Sequence, residues 1–268
     1  MGRRGPPYLG MTLKCPLGEP IQWPLFREEM AAMTETDRAD EAQIPGESVY
    51  AVKPGPGSRP VVLTYDDGPE PGGTDAVLKV LAEHRVTATF FVLLTRTRRY
   101  PGLLSELLAA GHEIGLHGVD HQRLTTLDPA HVAQRTADAR HELEDTIGRE
   151  VRWFRPPYGG QSAGTWQAIC GTGLTPVVWT ADLHDWMEIT DDERLSGVRE
   201  LTQPGAIILA HDGFATAADG AADGDPPRID RARLSQGLIG ICQAKELTPG
   251  SLGQALAAGQ LATRVWLD

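Results

Sequence analysis

The chain has 268 residues, a formal net charge of -11, 41% hydrophobic residues and 23% charged residues. That is enough chain for one large globular domain with a substantial core, and so acidic a balance argues against nucleic acid or an anionic membrane as the main partner. No stretch approaches the roughly 18 apolar residues of a membrane span, and Cys15, Cys170 and Cys242 stand far apart with no CxxC spacing, so neither a disulfide framework nor a thiolate zinc site is expected.

Residues 1–58 are rich in Pro, Gly and charge and end in Lys53-Pro54-Gly55-Pro56-Gly57-Ser58. They read as an irregular N-terminal extension to a catalytic domain at 59–268, with a short helix at Glu28–Ala39. The opening MGRRGPPYLG has two arginines but no apolar run behind them, so it does not read as a secretory signal. The expected location is the cytoplasm; a start displaced from the natural one would instead allow a cell-wall or extracellular role.

From residue 59 strands and helices alternate. Val61–Asp66 is an apolar run of strand length. Thr74–His84 places Ala76, Val77, Val80 and Leu81 at helical spacing, with Thr74 as its N-cap. Ala88–Leu94 is a second strand, Pro101–Ala110 a helix ended by Gly111, and Glu113–His117 a third strand. Asp128-Pro129 opens a long amphipathic helix that stops at Gly148. Val151–Phe154, Thr175–Thr180 and Ala206–Ala210 are further strands. Ser162–Cys170, Asp191–Leu201, Asp230–Lys245 and Ser251–Ala258 are further helices, and Gly213–Pro227 is a small-residue loop. Alternation of this kind predicts an α/β fold with parallel strands and helical crossovers. No Gly-rich phosphate loop follows the first strand, which disfavours a nucleotide-binding sheet. In a barrel, functional residues gather at the C-terminal ends of strands.

The chemically loaded residues stand at those ends. The first strand runs into Asp66-Asp67-Gly68-Pro69. Two adjacent carboxylates at the end of a buried strand either lie in a solvated turn, which Asp, Gly and Pro favour, or call for a nearby cation. The third strand runs into His117 and His121, whose HxxxH spacing fits two imidazoles on one side of a helical turn. Two histidines and one carboxylate form a recurrent set for a divalent ion. One Asp would ligate it, and the other would take a proton from a water that the ion acidifies. Later strands run into Arg155-Pro156-Pro157-Tyr158-Gly159, Asp182-Leu183-His184-Asp185-Trp186 and Leu209-Ala210-His211.

With these motifs in order, the chain resembles the polysaccharide deacetylase family of metal-dependent carbohydrate esterases over roughly residues 59–260. TYDDGP, HGVDH, RPPYG, DLHDW and LAH are similar to its five motifs, and ATFFV to its second strand. The resemblance implies a deformed (β/α) barrel of about seven parallel strands and one divalent ion, zinc first, with cobalt or nickel as alternatives. It implies Asp66 as general base and Asp67, His117 and His121 as metal ligands. Arg155 would hold Asp66, the Tyr158 backbone N–H would bind the oxyanion, and His211, paired with Asp185, would be the general acid. Trp186 and Leu209 would shape the acetyl pocket. His84, His112, His131 and His141 carry no motif and are expected to be structural or exposed; His184 could line the cleft.

The expected partner is an N-acetylated sugar or glycan, with removal of its N-acetyl group as the reaction. Two departures bear on this. Gly118 stands where the family carries Ser or Thr, and no export signal is seen. They favour, as an alternative, a cytoplasmic amidohydrolase acting on a small N-acyl conjugate; an inactive glycan-binding barrel is a separate alternative, against which the intact Asp66 and His211 argue. The extension and the 213–228 loop could narrow the cleft. The sequence shows no exposed apolar seam that would demand a dimer.

Overall fold

The computed structural model describes residues 45–222 and 224–268; Cys15 and the helix expected at 28–39 lie outside them. Seven parallel strands carry the site: β2 (Pro60–Asp66), β3 (Thr89–Leu93), β4 (Glu113–Gly118), β5 (Trp153–Phe154), β6 (Thr175–Pro176), β7 (Ala181–Asp182) and β8 (Ile207–His211). Their order is β6-β5-β4-β3-β2-β8-β7, and β9 (Thr248–Gly250) adds in parallel beside the start of β2. The helices are α1 (Thr74–His84), α2 (Leu94–Arg99), α3 (Pro101–Ala109), α4 (Pro129–Ile147), α5 (Ala163–Gly171), α6 (Asp191–Arg199), α7 (Arg231–Ala244) and α8 (Leu252–Leu256).

Every residue of β2 is buried, which is why it reads as a continuous apolar run rather than an alternation. The pleat still sorts its side chains. Val61, Leu63 and Tyr65 join the large core with Val77, Val80 and Leu81 of α1, whereas Val62 belongs to the smaller core with Phe91, Trp153, Val177 and Ile207. Thr64 and Asp66 follow Val62 on that second face, so a polar pair ends an apolar column. α4 shows clean local determinants: Asp128 Oδ1 accepts from the Ala130 and His131 N–H groups, and Gly148 closes the helix at φ 64°.

The sheet is a barrel that does not close, since β6 and β7 do not pair. The residues that meet this seam come from the stretch read as irregular. Glu47–Pro54 is a strand, β1, paired antiparallel with β10 (Gly259–Val265) with one register shift between Val49 and Ala51. Val49 O accepts from Val178 N at 2.7 Å, Thr180 Oγ1 donates to Tyr50 O at 2.7 Å, and Val52 N donates to Gly205 O at 2.8 Å. The ribbon thus stitches the chain after β6 to the chain before β8, and of the described part of the extension Glu47–Pro54 is strand rather than irregular chain. The short helix α2 and strands β7, β9 and β10 were also not foreseen. Thr74 is not an N-cap: Gly73 holds that position. Instead Thr74 Oγ1 accepts from Glu70 N at 2.7 Å and donates to Asp212 Oδ2 at 2.6 Å.

Candidate active site

Asp66 ends β2 and pairs in register with His211 on β8. The chain turns at Asp67, whose φ of 73° lies in the left-handed region that Asp tolerates better than most residues. Both carboxylates are buried. Asp67 Oδ1 lies 3.4 Å from His117 Nε2 and 3.4 Å from His121 Nε2, and the three ligand atoms lie within 4.8 Å of one another. Atoms about 2.1 Å from one ion at tetrahedral angles stand about 3.4 Å apart, so the two measured edges fit a small divalent cation. Two further features fit it. Asp67 Oδ2 accepts from Ala215 N at 3.1 Å, whereas Oδ1 is buried with no hydrogen-bond partner. His117 Nδ1 donates to Arg155 O at 2.7 Å, which leaves the Nε2 lone pair facing the triad. Burial raises the pKa of Asp67, but His121 and His117 outweigh it and hold the carboxyl well below its usual range.

The two histidines do not share a helical turn. His117 is in β4, which ends at Gly118, and His121 follows in a bend. Gly118 has φ 118°, and a Cβ there would stand 2.9 Å from Asp120 O. This path from one histidine to the next suits glycine alone, which gives the departure at this position a local reason.

Arg155, directly after β5, is fully buried. Its Nη1 donates to Asp66 Oδ1 at 2.8 Å and to Thr64 Oγ1 at 2.7 Å; Nε and Nη2 donate to Val177 O and Val178 O. The guanidinium lies 4.2 Å from the Phe91 ring centre. Asp66 is thereby held by one oxygen, while Oδ2 faces His117 Nε2 at 3.9 Å.

On the other side, His211 Nδ1 donates to Asp185 Oδ1 at 2.6 Å, and the His211 N–H donates to Asp185 Oδ2 at 2.8 Å. Burial lowers the His211 pKa, but Asp185, then Asp67 and Asp66, overcome this and push it up to about 10. Leu209 is buried two residues earlier on the same strand face.

Tyr158 sits in the turn Pro157–Gly159 at φ 62°, its ring edge-on to His121 at 4.3 Å and the Arg123 guanidinium 4.4 Å from its centre. Trp266, just beyond β10, donates its indole N–H to Gly159 O at 3.0 Å, so the ribbon also secures this turn. Trp186 is 41% exposed. Its indole donates to Asp182 Oδ2 at 3.3 Å, and Asp182 Oδ1 also accepts from the His184 N–H at 2.7 Å. His184 therefore belongs to the bracket behind Trp186. His112 is buried and its Nδ1 accepts from Ala88 N; His84 is half-buried with its Nε2 on Gln236 Oε1 at 2.9 Å, and His131 and His141 are exposed.

Three site-adjacent residues escaped the sequence reading, Glu70, Arg96 and Asp219, and Asp212, which follows His211 at a strand end, was given no role. Arg96 and Asp219 are buried and paired at 2.7 Å, and Glu70 joins Arg96 at 2.8 Å. Asp212 receives the Thr74 hydroxyl, and burial pushes its carboxyl up to about 7. Their one visible signal was position, since Glu70, Arg96 and Asp212 each follow a strand end within a few residues.

Residues 53–177 match the polysaccharide deacetylase family. The chain is 34% identical over 190 residues to a chitooligosaccharide deacetylase of Bradyrhizobium sp. (strain ANU 289), covering 70% of this chain and 87% of that one. It is 32% identical over 194 residues to the peptidoglycan-N-acetylmuramic acid deacetylase PdaC of Bacillus subtilis (strain 168), covering 72% of this chain and 40% of that one. The solved structure of PdaC superposes with a TM-score of 0.63 at 27% identity, covering 76% of this chain and 92% of that structure. Motifs, fold and relatives agree, and the chain belongs to the polysaccharide deacetylase family.

Proposed function

We propose that the protein is a metal-dependent N-deacetylase that hydrolyses the acetamide of N-acetylated amino sugars in glycans or their oligomers. The observation that carries this reading is the register of β2 against β8. It sets an Arg155-held carboxylate, Asp66, opposite an Asp185-held imidazolium, His211, with the Asp67–His117–His121 triad beside them. Amide hydrolysis needs a base for water, a donor for a poor leaving group and a stabilised oxyanion.

Asp67, His117 and His121 would hold a divalent cation, zinc in our reading, which would supply Lewis acidity for the acetyl carbonyl and for the attacking water. Asp66 Oδ2 accepts the proton of the water that attacks the carbonyl carbon. Arg155 holds Asp66 by Oδ1 and aims its other oxygen. The Tyr158 backbone N–H donates to the developing oxyanion. As the C–N bond breaks, His211 delivers its Nε2 proton to the leaving amine, giving acetate and a free amino sugar. Asp185 keeps His211 protonated and oriented. Leu209 and Trp186 bound the space for the acetyl methyl. The exposure of Trp186 favours an extended sugar over a small enclosed substrate.

The test is acetate release from N-acetylglucosamine oligomers of several lengths beside small N-acetyl sugar conjugates, each with a chelator control. Release that needs metal and grows with chain length is expected. Release from small conjugates alone would replace the glycan by a small amide. Glycan binding without any release would make the barrel a binding protein.

A further inference from the structure

We propose that Arg96 and Asp219 are positioning residues for the metal ligands. They act through the backbone of the loop that follows β8. The inference rests on the metal-dependent reading above.

The loop from Asp212 to Ala222 touches two of the three ligands. Its Ala215 N–H donates to Asp67 Oδ2 at 3.1 Å, and its Asp219 carbonyl accepts from the His121 N–H at 2.6 Å. The third ligand, His117, is held independently by Arg155 O. The path of this one loop therefore sets where Asp67 and His121 stand relative to each other. Gly118 brings no side chain to the turn that carries His121. A brace from outside that turn has all the more to do.

The loop is clamped by a buried ionic group. Arg96, on α2, is 2% exposed and Asp219 is 0% exposed. Arg96 Nε and Nη2 donate to Asp219 Oδ2 at 3.1 and 2.7 Å, and Nη2 also donates to Phe214 O at 2.6 Å. Arg96 Nη1 meets Glu70 Oε1 at 2.8 Å, and Glu70 Oε2 accepts from Phe214 N at 3.1 Å. Asp219 Oδ1 takes the Thr95 hydroxyl at 3.2 Å and faces Arg99 Nη1 at 3.4 Å; Oδ2 also takes the Thr216 N–H and hydroxyl. Leu93, Ala215 and Ala221 close a small apolar cluster beneath the loop. Arg96 thus ties together three segments: the loop after β2 through Glu70, its own helix after β3, and the loop after β8. A planar guanidinium can serve three acceptors in different directions, and an ammonium cannot reproduce that fan. Partners behind metal ligands typically govern affinity by 10- to 100-fold.

The test is titration of the metal-free protein with Co²⁺ alone, followed by its visible absorption, for wild type, Asp219→Asn, Thr95→Val and Arg98→Met. Asp219→Asn is expected to weaken Co²⁺ binding about 10- to 100-fold and to alter the absorption band, since the ligands no longer meet at the same angles. Thr95→Val removes one hydrogen bond to Asp219 with little other change; a smaller weakening, about 2- to 5-fold, is expected, and it carries the test if Asp219→Asn does not fold. Arg98→Met, on the same helix as Arg96, breaks an ion pair to Glu142 of α4, and its affinity is expected to match wild type. Unchanged affinity in Thr95→Val and in a folded Asp219→Asn would overturn the inference, as would an equal loss in Arg98→Met. Absence of Co²⁺ binding by the wild type would overturn the metal-dependent reading itself, a distinct result.

Discussion

Arg155 and Arg96 are both buried beside the triad, and each holds a carboxylate, yet they reach the chemistry by different routes. Arg155 meets the side chain of Asp66. Arg96 meets the side chain of Asp219, whose backbone carbonyl holds the His121 N–H. A side-chain pair requires particular residue types at both ends, so Arg155 and Asp66 both fall in recognisable motifs. A brace that ends on backbone atoms places no demand on the identity of the residue it braces. That is why the second network is invisible in sequence, although its Arg96–Asp219 pair is as buried as the Arg155–Asp66 pair.

The strongest way to break this contrast is to neutralise Asp66. Asp66→Asn is expected to lower kcat by about 10²- to 10⁴-fold while Co²⁺ affinity stays near wild type. Loss of the cation with retained turnover at high metal would exchange the roles of Asp66 and Asp67.

Arg155→Met comes next. It leaves Asp66 buried without its counter-charge, a change that costs about 3–5 kcal/mol. Denaturant unfolding of the metal-free protein measures that loss. The contrast sharpens in the kinetics. Arg155→Met should lower kcat at saturating metal, because Asp66 is no longer aimed, whereas Arg96→Met should chiefly raise the metal concentration needed for half-activation. Identical kinetic signatures in the two variants would mean that both arginines serve only the fold.

The fold and the triad were largely legible before any coordinates. β2, β3, β4 and β8 are buried on both faces and stand out as apolar runs. α4 is bounded by Asp128 and Gly148, whose capping chemistry is local. What stayed hidden depends on contacts distant in sequence. β1 precedes Pro54-Gly55-Pro56-Gly57, which gives the whole stretch the look of a loop, and only pairing with β10 shows it to be a strand. HxxxH fits a helical turn by spacing alone, but Gly118 at φ 118° sends the chain another way. Thr74 has the chemistry of an N-cap, yet its hydroxyl is taken by Asp212, 138 residues away.

The smallest expected effect concerns the acid rather than the base. His211 has its pKa pushed to about 10, with burial lowering it and Asp185 the first of the groups that raise it. A general acid works only while protonated, so kcat should fall as pH rises through this pKa. A cation on the triad offsets the charges of Asp66 and Asp67, so the limb in the loaded enzyme should lie below about 10. Asp185→Asn removes the leading raising charge and leaves burial in place, which moves the limb further toward neutral pH. The stability linkage has a definite sign. A histidine whose folded pKa exceeds its unfolded value of about 6.5 contributes stability that is fully present below about pH 6.5 and lost as pH climbs toward 10. The metal-free wild type should therefore lose stability across that window, and Asp185→Asn should lose less. Profiles of kcat against pH at saturating metal, with unfolding midpoints of the metal-free proteins, test both statements. An alkaline limb at the same pH in both enzymes would remove His211 as the proton donor and leave its pair with Asp185 a structural clasp between the loop after β7 and the end of β8.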